Sequence, residues 1–417
     1  MILGIFITLL YLLYLIADFK RGVILVGMTI QFLPYVGTGI PKVKVFTLLI
    51  VVIFFLYICR GGNSKSGNYP RLLKSASSLF VFSYLISEIF SKTQHHYLTI
   101  FSNLITYFLF PYFLWKSIDT KNRLEFALKV LKIFLAISFV FGLMELILSH
   151  NYFYEFMSKN LILEDWTEIR EDTRYGFKRC QSIYAWYLPY GMISLYGFIV
   201  FYAHRFLFYI KKNFQIFMML AMLFMAFTTG SRAVLLGIII TFVTIVMQKR
   251  NFHNIIRPQN IVLLLIVGFL LSGTLYQVYD SIVNSGSSEY ARGSSEGMRL
   301  NQWLICLPFW LQSPIIGNGK LYMWEVVGSK NSDILGAESI WFSLFVDFGL
   351  IGVLSFLFLI WACMSLLRKV DFSLICLPLS YLIMLSLSTF EGATFNILIT
   401  FSVLILKMNK YFHISIN

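Results

Sequence analysis

The stretch MLFMAFTTGSRAVLLGIIITF, Met222 to Phe242, places Gly230, Ser231 and the permanently charged Arg232 inside an otherwise apolar run. How this stretch is divided decides the fold. Read as one membrane span, it holds a guanidinium in hydrocarbon at a cost of about 3 kcal/mol or more. Read as two helices broken at Thr-Thr-Gly-Ser-Arg, it sets the charge at a membrane boundary. Lys249 favours the second reading, because it lies 17 residues beyond Arg232. At 1.5 Å per helical residue that separation is roughly 25 Å, close to the hydrocarbon thickness of a bilayer. Gly230 then supplies the chain reversal, and Ser231 is placed to cap the helix that follows. An arginine at such a boundary either snorkels to lipid headgroups or, beside the amides of a helix N-terminus, forms part of an anion site.

The rest of the chain repeats this pattern. Its 417 residues are 58% hydrophobic and only 13% charged, with 42 Phe and 24 Tyr. Soluble domains carry about 25% charged residues, so the composition is that of a polytopic membrane protein. Apolar runs suited to crossing a bilayer fall near residues 3–17, 22–39, 43–59, 75–90, 97–115, 130–149, 187–203, 214–229, 232–247, 261–276, 339–361, 373–390 and 394–407. The expected fold is an all-α membrane protein of about 12 to 14 transmembrane helices, forming a single integral membrane domain over 1–417. MILGIFITLLYLLYLIADFKRG lacks a basic leader and a small-residue cleavage site and reads as the first span. The second is the most broken, since VILVGMTIQFLPYVGTGIP carries several Gly and Pro residues.

The formal charge of +14 suggests nucleic acid in a soluble protein. Here most Lys and Arg sit in short loops, where they orient the chain in the bilayer, and no nucleic-acid partner is expected. RGGNSKSGNYPRLLK, KSIDTKNRLEFALK, HRFLFYIKKN, QKRNFHNIIRPQN and Arg368-Lys369 all fall on one side, which the positive-inside rule makes cytoplasmic. The five cysteines show no metal-ligand spacing. A bridge between Cys180 and Cys306 is one option for them.

Two long segments lie on the opposite, extracytoplasmic side: residues 150–187 and 277–338. Connections of that length are usually functional or disordered. The first, HNYFYEFMSKNLILEDWTEIREDTRYGFKRCQSIYAWY, interleaves aromatics with charges of both signs, which argues for folding. In the second, Trp303, Leu304, Leu307, Trp310 and Leu311 form one face of an expected interfacial helix. The same side gathers Arg170, Arg174, Lys178, Arg179, Arg292, Arg299 and Lys320, against the positive-inside trend. Neighbouring Glu164, Asp165, Glu168, Glu171 and Asp172 can pair with some of them. Arginine's planar fork also suits the oxygens of a pyrophosphate-linked lipid. Glu88, Glu145, Glu338 and Glu391 lie near this side, with Asp347 deeper in its span. Most of these carboxylates read as structural groups bonded to a neighbouring helix. Glu338 stands out because it closes the second loop where the chain re-enters the membrane. His95, His96 and His150 read as solvated interfacial histidines. No P-loop, GxSxG elbow or HExxH is present.

Three segments, in order, resemble the O-antigen ligase and polymerase superfamily of bacterial polysaccharide assembly. FTTGSRAVLLGIII is similar to its Thr/Ser-x-x-Ser-Arg-(Gly)-Ala turn and helix. MRLNQWLICLPFWLQSPIIGNGK is similar to its Arg-x-x-x-Trp segment and Pro-x-x-Gly-x-Gly turn, here Arg299, Trp303, Pro314, Gly317 and Gly319. GAESIWFSLFVDFGLIGVLSFL resembles its re-entry helix, with Leu344, Gly349 and Gly352 matching. The resemblance covers roughly residues 225–360. Ligases of the superfamily carry a histidine and asparagine at re-entry, where this chain has Glu338 and Ser339, a departure that weakens a ligase reading and is compatible with the polymerase branch, which is diverse at this position.

The resemblance implies a membrane glycosyltransferase of GT-C-like architecture in the bacterial cytoplasmic membrane, with its active site on the extracytoplasmic face. Its substrates are undecaprenyl-diphosphate-linked oligosaccharide repeat units, polymerised for O-antigen, capsule or exopolysaccharide. The expected catalytic residues are Arg232 and Arg299, holding the donor diphosphate, and Glu338, orienting or deprotonating the acceptor hydroxyl. Arg174, Arg179, Ser231, Tyr175 and Trp186 are the expected substrate-binding residues. Trp166 and Tyr184 add further aromatic faces for sugar rings. No metal or other cofactor is expected, and a flippase and a chain-length regulator are the expected protein partners. The alternatives are a ligase that moves finished glycan to lipid A core or to protein, and a flippase for the same lipid-linked units. Few charges at mid-membrane and no internal duplication speak against the flippase.

Overall fold

The structure is a computed structural model and describes residues 2–33, 36–37, 44–60, 67–161, 163, 173–174, 177–184, 186–208, 210, 213–248, 296–331, 339–388 and 394–412. Helices α1 (Ile2–Ala17), α2 (Phe19–Phe32), α3 (Val45–Cys59), α4 (Arg71–Ile89), α5 (Tyr97–Ser117) and α6 (Lys121–Leu148) make the first half. A short helix α7 (Tyr152–Asn160) and a two-strand hairpin, β1 (Thr173–Arg174) with β2 (Phe177–Lys178), follow. Then come α8 (Tyr187–Tyr202), α9 (Asn213–Thr228), α10 (Arg232–Met247), α11 (Glu296–Leu311), α12 (Ile340–Arg368), α13 (Cys376–Ser386) and α14 (Thr394–Phe412). It is an all-α polytopic membrane protein.

Every expected span except 261–276, which lies outside the described residues, has a helix in its place. Five helices, α4, α5, α6, α12 and residues 395–412 of α14, are long and apolar enough to cross a bilayer, and shorter apolar helices pack among them. Boundaries differ where local chemistry intervenes. The second span was expected to reach residue 39, yet α2 ends at Phe32, with Leu33 as its last cap. Pro34 forces that end, because the residue before a proline is pushed out of helical geometry.

The helix ends sort into two groups. At one end the Arg60 guanidinium donates to Ile16 O (2.9 Å), and Lys20 pairs with Asp119 (2.5 Å), which Arg123 also grips. Lys116 donates to Gly67 O (3.2 Å), Lys407 to Ile118 O (2.7 Å) and Gln248 to Asp371 (2.5 Å). The described parts of several basic loops therefore lie at this basic end. The opposite, loop end carries α7, the hairpin, the turn between α9 and α10, and the segment between α11 and α12.

The longest helix, the 29-residue α12, is broken at Gly349 (φ 62°, ψ −163°). Such a break frees N–H and C=O groups that lipid cannot satisfy, so protein must. The turn after α11 does this. Leu350 and Ile351 donate to the carbonyls of Pro314 (2.9 Å) and Ile315 (3.0 Å). In return Asn318 and Gly319 donate to the carbonyls of Val346 (3.0 Å) and Asp347 (3.1 Å). The approach demands glycine: a Cβ on Gly317 would lie 2.1 Å from Asp347 O, and one on Gly349 would lie 2.5 Å from Ile315 O. The Pro-x-x-Gly-x-Gly turn and the Gly349 break are thus two halves of one clasp.

Candidate functional site

At the turn between α9 and α10, Gly230 takes φ 58°, as the reversal requires. Arg232 opens α10 and is half-buried. Ser231 occupies the N-cap position, yet its side chain makes no capping bond, contrary to expectation. The nearby hydroxyl of Thr229 accepts from Ser231 N instead (3.3 Å), tightening the turn one residue earlier. α8 lies close behind, since a Cβ on Gly191 would meet Val234 and Thr229.

The end of the first long loop docks onto this turn. Cys180 N donates to Thr228 O (3.1 Å) and Arg179 Nε donates to Thr229 O (3.1 Å). The Arg179 guanidinium lies flat on Tyr187, with its carbon 3.3 Å from the ring centroid. Stacking of that kind orients a planar cation and restricts its motion. Arg179 is buried, as is Lys178, whose ammonium donates to Ser149 O (3.0 Å). Trp186 caps α8, half-buried, with its ring edge-on to Tyr187 at 5.7 Å.

The structure thus brings Arg179, Ser231, Arg232 and Trp186 together at the loop end. Arg174 stands in β1, opposite Phe177, and Arg299 lies in the first turn of α11; for both the description is of backbone alone. Tyr175, Glu338, Trp166 and Glu391 lie outside the described residues. Tyr184 is a correction: only 1% of it is exposed, and it packs against Phe32 and Tyr190, so it offers no face to a sugar. Cys180 and Cys306 are both free thiols, so the bridge between them is not formed.

Two carboxylates on this side, Asp347 and Glu88, are structural as expected, while one histidine departs from expectation. Asp347 has the structural role expected of most of these carboxylates: at the clasp its Oδ1 accepts from Met323 N (2.7 Å). His96 is buried rather than solvated, with Nε2 3.0 Å from Glu325 Oε1, while its amide donates to Glu88. Glu88 also accepts from Lys320 N (3.2 Å), and the Lys320 ammonium sits 5.7 Å from the ring of Tyr84, itself stacked on Phe348. Nothing in the sequence ties residue 88 to residue 320, so this cluster has no local signature.

A helix forms where the interfacial one is expected. In α11, Leu304, Leu307 and Leu311 are exposed, while Trp303 and Trp310 lean on Phe345 of α12. Between α11 and α12 is an apolar cavity of about 190 Å³, lined by Trp303, Cys306, Leu307, Trp310, Phe342, Phe345 and Val346.

Residues 217–357 match the family model described as O-antigen ligase. No curated protein matches the chain. The matched segment runs from α9 through the Arg232 turn and the clasp into α12, which is where the two motif-bearing turns of the structure lie. Over that segment, about a third of the chain, it is similar to the O-antigen ligase family.

Proposed function

We propose that the protein is a single-domain polymerase of undecaprenyl-diphosphate-linked oligosaccharide repeat units, serving O-antigen, capsule or exopolysaccharide synthesis. The observation that carries this reading is the docking of Arg179 onto the Thr229 carbonyl, two residues before the N-cap of the helix that Arg232 opens. Two cations and the amide end of a helix at one turn suit a diphosphate. With the basic end cytoplasmic, this site faces outward, where exported lipid-linked units are found.

In the reaction, a hydroxyl of the acceptor sugar attacks the anomeric carbon of the donor glycan. The bond from that carbon to the diphosphate oxygen breaks, and the lipid diphosphate leaves with the electron pair. Arg232 and Arg179, with Arg299 and Arg174 as further contributors, stabilise the charge that develops on the leaving group. Glu338 takes the hydroxyl proton. Ser231 donates to a diphosphate oxygen, while Trp186 and Tyr175 give flat faces to sugar rings. The apolar cavity under α11 receives part of the isoprenoid chain. With arginines doing this electrostatic work, the chemistry needs no metal ion. A flippase supplies the units, and a chain-length regulator sets the extent of polymerisation.

The test is the polymer ladder on a gel. Arg232→Ala at normal protein level is expected to reduce it to single repeat units; unchanged long chains sink the assignment. A ligase gives a different loss, long lipid-linked polymer left unattached, and that outcome would replace the polymerase reading with the ligase one.

A further inference from the structure

Glu145 lies one turn from the end of α6 and is only 1% exposed, a costly place for a carboxylate. What it holds is the chain just beyond Arg179. Its Oε2 accepts from the backbone amides of Gln181 (2.9 Å) and Ser182 (2.6 Å) and from Asn151 Nδ2 (3.2 Å). Asn151 in turn donates to Ser182 O (2.8 Å) and caps α7 through Tyr154 N (2.9 Å). Ser182 adopts φ 54°, a left-handed conformation that serine rarely takes, and its hydroxyl donates to Ser138 O (2.6 Å) on α6. Strained backbone of this kind persists only where its surroundings over-determine it.

Arg179 is therefore suspended between two anchors. On one side Cys180 N and Arg179 Nε are fixed to Thr228 and Thr229; on the other, two and three residues along, the chain is clamped by Glu145. We infer that Glu145 is a positioning residue, which sets the Arg179 guanidinium at the Ser231–Arg232 turn by gripping the amides of residues 181 and 182. This rests on the reading in which Arg179 binds the donor diphosphate. Charged acceptors make the stronger hydrogen bonds, which is what a carboxylate contributes here and a neutral side chain does not.

The experiment measures binding of undecaprenyl diphosphate to the full chain in lipid nanodiscs. Arg179→Ala and Glu145→Ala are each expected to weaken binding about tenfold, and the double variant no more than Arg179→Ala alone, because the two act through one guanidinium. Losses that multiply to about a hundredfold, or wild-type binding by Glu145→Ala, overturn the positioning role. Should Glu145→Ala fail to accumulate, Glu145→Asp draws the carboxylate back by one methylene and is expected to weaken binding about threefold or more. Unchanged binding by Glu145→Asp then overturns the proposal. Wild-type binding by Arg179→Ala removes the diphosphate reading and the positioning role with it, whereas loss in Arg179→Ala without loss in the Glu145 variant removes the positioning role alone.

Discussion

The clasp at Gly349 and the knot around Arg232 both sit at the loop end and both fall within or against the family-matched segment, yet their residues serve different physics. In the clasp, the motif glycines let two backbones touch, and the nearby charges serve that contact: Asp347 caps Met323, and Glu88 holds Lys320 N and His96 N. In the knot, Gly230 makes the turn and the motif contributes one cation, Arg232; Arg179 is docked onto that turn from the first long loop. Arg179 spends Nε on a carbonyl and one face of its guanidinium on Tyr187, an arrangement that fixes the fork's direction without neutralising its charge. A motif shared across a family can thus record a packing constraint or a chemical one, and only the contacts separate the two.

The largest effect that tests this division is Gly317→Ala. The added carbon meets Asp347 O at 2.1 Å, on a residue with φ 80°. Clash and strain together cost about 3 kcal/mol or more. The expected outcome is loss of monodisperse protein on size exclusion in detergent, with the thermal midpoint of any remainder sharply lowered. A well-behaved Gly317→Ala protein that has lost only catalysis would move the clasp into the chemical class.

Next in size is Arg179→Lys, which keeps the charge but loses the planar stack and the Nε bond. A chain-elongation rate lowered about tenfold, at unchanged protein level and thermal midpoint, is expected. Full elongation would show that charge alone suffices at the knot and that the stacking on Tyr187 is incidental.

How much of this was legible in the sequence follows from the range of each signal. Apolar runs and basic flanks are local, so the spans and their common basic end could be read directly. The Thr-Thr-Gly-Ser-Arg turn was legible for the same reason, since Gly230 and the distance from Arg232 to Lys249 are both contained in one short stretch. The clasp was visible only as a family pattern, because its hydrogen bonds join residues 314–319 to 346–351. Glu88 and Asp347 read only as structural carboxylates of unnamed partners, His96 as a solvated histidine and Lys320 as one of several outer cations, so their meeting was not legible. Apolar periodicity marks which face of a helix is buried; it carries no information about which buried carboxylate meets which backbone amide.

Asp347→Asn comes third. The amide oxygen of asparagine can still accept from Met323 N, so the expected cost is about 1 kcal/mol in stability, with the polymer ladder unchanged. That outcome keeps Asp347 among the clasp's structural groups. A ladder collapsed to single units in a stable Asp347→Asn protein would instead make its charge part of the chemistry.

The smallest effect lies at the rim of the knot, on α7. Glu155 is held below the usual carboxylate range by hydrogen bonds from Lys159 (2.5 Å) and His150 (3.0 Å) and by the Lys159 charge. A carboxylate whose folded pKa is depressed adds stability above its ordinary pKa and loses it as the pH falls through the folded value. Its contribution is therefore complete at neutral pH and fades only in acid. Because the group is exposed, solvent screens most of it. Glu155→Gln is expected to leave elongation at neutral pH unchanged, to lower the thermal midpoint there only slightly and not in acid, and so to flatten slightly the fall of that midpoint between neutral and acid pH. A clear loss of elongation at neutral pH would extend the knot outward, making α7 part of the surface that receives the glycan rather than a cover over Asn151 and Glu145.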